Sequence, residues 1–184
     1  ETTLTVETGG SFGDLFTVVI DLGLDDEGPY YDVDINNTGN AHLVVFLDSI
    51  EGLEPGDEIG VFDLDGVVET AEPGETPEYG EVLVGATIWD GEANVAGAVA
   101  EVAAIMSVDL SEFNGPVLNG AVEGNDIVIK VYDVSEQMEY QTTLNLETGG
   151  SFGDLFTVVT DLGLDEDEDG YYNLNINPTG TAHL

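Results

Sequence analysis

Apolar residues fall in short bursts along the chain, each closed by a turn-forming residue. His42–Ile50, Asp57–Asp63, Val82–Trp89, Asp126–Val134, Glu139–Leu146 and Leu155–Leu162 are rich in β-branched or aromatic residues and bounded by Gly, Pro, Asn or Asp, so each predicts a strand. In Asp126–Asp133 polar flanks surround an apolar centre, and Ser135–Met138 links that run to Tyr140–Leu144 as an antiparallel hairpin. Glu54-Pro55-Gly56-Asp57 and Glu72-Pro73-Gly74-Glu75 read as turns, and Asp65-Gly66 as a hairpin turn. One stretch differs: Glu92–Met106 is Ala-rich, and Val95, Val99, Val102 and Met106 recur at spacings of three and four. A short helix over 92–106, lying on the sheet, is the first choice there and a strand the second. The fold class predicted is all-β, an antiparallel β-sandwich of the Ig-like or jelly-roll-like kind.

The pattern repeats itself. Residues 1–24 recur at 141–164 with four differences, and 30–43 recur at 171–184, separated in each copy by an acidic patch. The offset grows from 140 to 141 residues across that patch, so the patch tolerates insertion. Similarity this close between distant stretches predicts a window on a longer tandem array. Boundaries belong where insertion is tolerated and the chain is polar. The expected organisation is therefore 1–24 as the last strands of a preceding repeat, 25–29 as an acidic linker and 30–164 as one complete repeat. A second acidic linker over 165–170 then leads to 171–184, the first strand of the next. Modules joined in series, or by strand exchange through 1–24, are both open.

Charge changes the picture further. The 184 residues hold 39 Asp and Glu against one Lys and no Arg, a formal net charge of −38. Such a chain cannot neutralise phosphates or approach anionic headgroups, which excludes nucleic acid and acidic membrane surfaces as partners. No apolar run approaches the ~20 residues of a spanning helix. The chain opens on a polar, Thr-rich segment, so any export signal lies outside this stretch. Without Cys, disulfides and thiolate metal sites are ruled out. Self-repulsion among so many carboxylates calls for a saline or calcium-containing medium, and the expected location is extracellular or at the cell surface.

Candidate chemistry follows from the charge. Asp25, Asp26, Glu27 and Asp32 in one linker, and Asp165, Glu166, Asp167, Glu168 and Asp169 in the other, offer hard oxygen ligands of the kind calcium takes six to eight of. Calcium there would stiffen the joint; the plain alternative is a solvated acidic loop. A second cluster is Asp57-Glu58 with Asp63-Leu64-Asp65-Gly66, which echoes the start of a calcium loop without the rest of its twelve-residue pattern. Lys130, the one cation, is either half of an ion pair or the amine of a Lys–Asn crosslink. His42 and His183 occupy the same repeat position, so each repeat has one His and no convergent triad, and no enzyme is expected. Trp89 either closes the core or, exposed beside tyrosines, forms a platform for a glycan. Phe152, the repeat of Phe12, is expected to staple its glycine-rich loop to the core.

Thr38–Leu43, Leu53–Asp63, Val84–Ala86 and Ile129–Asp133 together resemble a β-sandwich module found in tandem in large secreted and surface-anchored bacterial proteins. The resemblance implies an extracellular, modular and non-enzymatic role. The expectation is a structural repeat of a bacterial fibre, stalk or adhesin, with neighbouring copies of the repeat as partners. The alternative is a carbohydrate- or protein-binding module acting by avidity. With Lys130 as the only site for trypsin-like proteases, either would survive outside a cell.

Overall fold

The computed structural model describes residues 28–165, Asp165 as backbone only, and the backbone of two leading strands, β1 (Thr5–Thr8) and β2 (Val18–Asp21). The main body is built from β3 (Ala41–Leu47), β4 (Glu58–Val67), β5 (Tyr79–Ile88), β6 (Ala98–Ile105), β9 (Val128–Asp133), β10 (Met138–Thr148) and β11 (Thr157–Asp165). They form one seven-stranded sheet in the order β5-β4-β9-β10-β11-β3-β6. A small pair, β7 (Val108–Asp109) and β8 (Val117–Leu118), stands apart from it. The protein is all-β, as its alternating pattern predicts, and the expected hairpin is β9–β10. Neighbouring strands of the large sheet run antiparallel except β11 and β3, which are parallel.

The helix expected over 92–106 is a strand. Glu92–Gly97 form a loop, and β6 buries Ala98, Ala100, Val102 and Ala104 while Glu101 and Ala103 face solvent. That is the period of two of a strand, enforced by the ladder that β6 makes with β3 from Ala41↔Ile105 to Leu47↔Ala98. Val95, assigned to an apolar helical face, is fully exposed. The turn expected at Asp65-Gly66 is also absent. β4 runs through it and slips register against β5 between Asp63 and Gly66, an irregularity that lets the Asp63 carboxylate turn inward.

The sheet curls until its edge strands meet. Gly85 of β5 lies so close to β6 that a Cβ there would overlap Val102 Cγ1 and stand 3.2 Å from the Ala104 Cα. Glycine permits the approach. Inside, Val44, Phe46, Ile59, Val61, Val84, Ile129, Val131 and Val159 are buried from solvent, each on the inward parity of its strand. Trp89, 4% exposed, joins this core.

The ends of the body are distinct. β4, β6 and β10 start where β3, β9 and β11 finish, as the pairs Glu58↔Tyr132, Glu139↔Tyr132 and Gln141↔Asp165 require. The opposite end carries the start of β3, the 149–156 loop and the excursion 106–127, which ties itself down by bridges such as Val67↔Gly120 and Met106↔Ala121.

The repeated segments fold alike. β1 pairs with β2 as Thr5↔Asp21, Val6↔Val19 and Thr8↔Val18; β10 pairs with β11 as Asn145↔Asp161, Leu146↔Val159 and Thr148↔Val158. Both hairpins share the same register and the same two irregularities, 140 residues apart.

Gly85→Ala should cost about 1–3 kcal/mol by overpacking the β5–β6 contact. Urea unfolding followed by Trp89 fluorescence would show it as a lower midpoint at unchanged slope.

Candidate functional site

Alternation along β9 turns Ile129 and Val131 into the core and Lys130 to the outer face of the sheet. Yet Lys130 is only 8% exposed. Its ammonium lies 2.7 Å from Glu81 Oε1 on β5, 3.9 Å from Glu139 Oε1 on β10, and 4.5 Å from the centroid of the Phe62 ring. These contacts make an ion pair backed by a cation–π contact. No asparagine is among the partners of Lys130 in the described residues, so the second half of a Lys–Asn crosslink is not at hand.

What covers the lysine is the start of the body. Tyr31 lies across Gly60, whose missing side chain makes the room: a Cβ there would stand 3.1 Å from the Tyr31 ring and 2.6 Å from Phe62 Cε2. The Tyr31 hydroxyl donates to Glu139 Oε2 at 3.0 Å, and the ring meets Phe62 edge-on at 5.6 Å. The Tyr30 and Tyr31 amides donate to the two oxygens of Glu58 at 2.9 and 3.0 Å. Tyr30 in turn stacks on Tyr132, centroids 3.8 Å apart and planes within 4°. Burial first, then the Glu139 carboxylate, pushes both phenols above the usual tyrosine range, so they remain neutral donors. The cluster is a clasp that holds the incoming chain to β4, β9 and β10. Of its members, the sequence marks Lys130 as half of an ion pair, Glu58 as part of an acidic cluster and the tyrosines as candidate aromatics, without bringing them together. Gly60 within a strand was the available signal, since such a glycine often marks a close approach.

Asp63, expected as a calcium ligand, is fully buried and occupied otherwise. Its carboxylate accepts the amides of Asp65 (2.9 Å) and Val122 (2.8 Å) and the Asn125 side-chain amide (2.9 and 3.0 Å). It pins the 122–125 turn against β4. Asp65, Asn125 and Asp126 border an open cleft of about 340 Å³ beside it. Asp32 is exposed just past the clasp. Asp165 ends β11, opposite Gln141. Asp25, Asp26, Glu27, Glu166, Asp167, Glu168 and Asp169 lie outside the described residues, as do Phe12 and His183. Among the described residues, no three His, Asp or Glu side chains are grouped to hold a metal ion. The burial of Trp89 withdraws its ring from any glycan platform.

His42 joins the two repeated segments. Its Nε2 is 3.0 Å from Thr157 Oγ1, which also accepts the Gly150 amide at 3.0 Å, and its ring meets Phe152 edge-on. Phe152 is buried and does staple the 149–156 loop, through Phe152 N–H to Asn125 O and Gly124 N–H to Phe152 O. Nδ1 of His42 is buried with no hydrogen-bond partner among the described residues. Burial lowers the His42 pKa, against a smaller opposing pull from Asp154.

Comparison with protein-family models, with curated proteins and with solved structures returns no match.

Two outcomes are expected. Tyr31→Ala should speed tryptic cleavage after Lys130 about tenfold or more, because cleavage follows the population of opened chains; fragment mass spectrometry identifies the cut. His42 binds protons more readily unfolded than folded, so its share of stability is complete above pH ~6.5 and fades as pH falls through that value toward the lower folded pKa. The urea midpoint should therefore drop further between pH 8 and pH 5.5 in the native sequence than in His42→Gln.

Proposed function

We propose that residues 30–164 are one module of a tandem array, a structural repeat of a long extracellular bacterial fibre, stalk or adhesin. The observation that carries this reading is the duplicated hairpin, whose register recurs with both irregularities 140 residues on. A second observation supports modules in series over strand exchange. The seat between β9 and β3 is filled by β10 and β11, so the sheet is completed by the tail of the same repeat. We read the curled sheet as a flattened, sandwich-like module, its two halves facing each other across one core.

Function in this reading is mechanical. Each module resists extension through the long ladders of β10 with β9 and β11, while the linkers 25–29 and 165–170 bring carboxylates together at each joint. Calcium bound there offsets their repulsion and stiffens the array.

Electron micrographs of the native assembly should show a regular axial repeat, and single, unconnected particles would refute the array. Calcium should raise the melting temperature in saline by about 2–4 °C per kcal/mol of binding. If EDTA leaves both melting temperature and array length unchanged, the calcium part of the reading is wrong.

A further inference from the structure

The chain comes into the body and leaves it at the same end. On arrival, Tyr30 stacks on Tyr132 of β9 and the Tyr30 and Tyr31 amides bind Glu58 at the start of β4. On departure, Asp165 closes β11 opposite Gln141 of β10. Tyr132 faces Glu139 on β10, two residues from Gln141. The two points are thus two strands apart sideways and two residues apart lengthwise. At a strand spacing of 4.8 Å and a rise of 3.3 Å per residue, they are about 12 Å apart.

The next tyrosine pair is close in sequence. Tyr171-Tyr172 repeats Tyr30-Tyr31, and six residue steps separate Asp165 from Tyr171, a reach of at most about 22 Å. Added to the span across the body, this keeps successive tyrosine pairs within about 35 Å of each other. Resting on the array reading above, we infer that successive modules lie side by side with their clasp ends adjoining, and do not follow one another end to end. The partner surface is the clasp end of the next copy.

The chain has no native Cys, so spin labels can be placed singly in the full 184 residues. Pro29→Cys with Asp165→Cys should give a distance of about 20 Å or less, and Pro29→Cys with Leu155→Cys, at the opposite end, about 30 Å or more. Leu155 is 91% exposed, so the label there disturbs no packing. In micrographs of the native array the rise per module should be about 40 Å or less. Reversed order of the two label distances would overturn the inference, whatever the assembly. An array with a rise of about 55 Å or more would overturn it while leaving the array reading intact. If no array is found but the label distances hold, the array reading fails and the shared end for arrival and departure stands.

Discussion

A chain with 39 carboxylates and one ammonium cannot balance buried charge with cations, and much of the architecture follows from how it manages instead. Backbone amides take the place of the missing cations. Asp57 accepts the amides of Glu54 and Val134, Glu58 those of Tyr30 and Tyr31, and Asp63 those of Asp65 and Val122. Each of these carboxylates is buried; Asp57 extends the β4–β9 ladder, while Glu58 and Asp63 join segments that the sheet ladders leave apart. Such charge-assisted bonds are stronger than neutral ones and satisfy an anion without a counterion. Exposed acids repeat the device on a smaller scale: Asp90, Asp109 and Asp133 each accept an amide two or three residues ahead and shape a turn.

The single cation has the one position where backbone amides cannot serve. Three carboxylates lie on the outer face of β5, β4, β9 and β10: Glu58 accepts two backbone amides, and Glu81 and Glu139 share Lys130. Tyr31 packs over Gly60 beside the group and hydrogen-bonds the same Glu139. The ion pair, the aromatic contacts and the docking of the incoming chain are consequently one unit. At the far end a second unit, His42 with Thr157 and Phe152, ties the start of β3 to the loop before β11. These two units fasten the beginning and the end of the repeat to its middle.

Elements set by local pattern were legible in the sequence. The six strand runs and the β9–β10 hairpin follow from alternation and turn residues, and the repeat declares itself by identity. The error over 92–106 has a definite cause. In an Ala-rich stretch, apolar residues at every second position are also four apart, and Val99 on the other face adds a spacing of three to Val102, so the period is ambiguous until β3 provides a ladder. The clasp was hidden for another reason. Glu58 is 27 residues from Tyr31 and Glu139 is 108, and nothing local to Lys130 announces either. Asp63 looked like a metal ligand because its sequence neighbours are acidic, while the groups that occupy it, Val122 and Asn125, come from 59 and 62 residues away.

The sealed lysine bears on the chemistry of the medium around the protein. Aldehydes and reducing sugars condense with a free, unprotonated amine, and the only ε-amine of this chain is held as an ion pair with Glu81 over the Phe62 ring, 8% exposed. The folded body therefore offers no side-chain amine for glycation or aldehyde fixation.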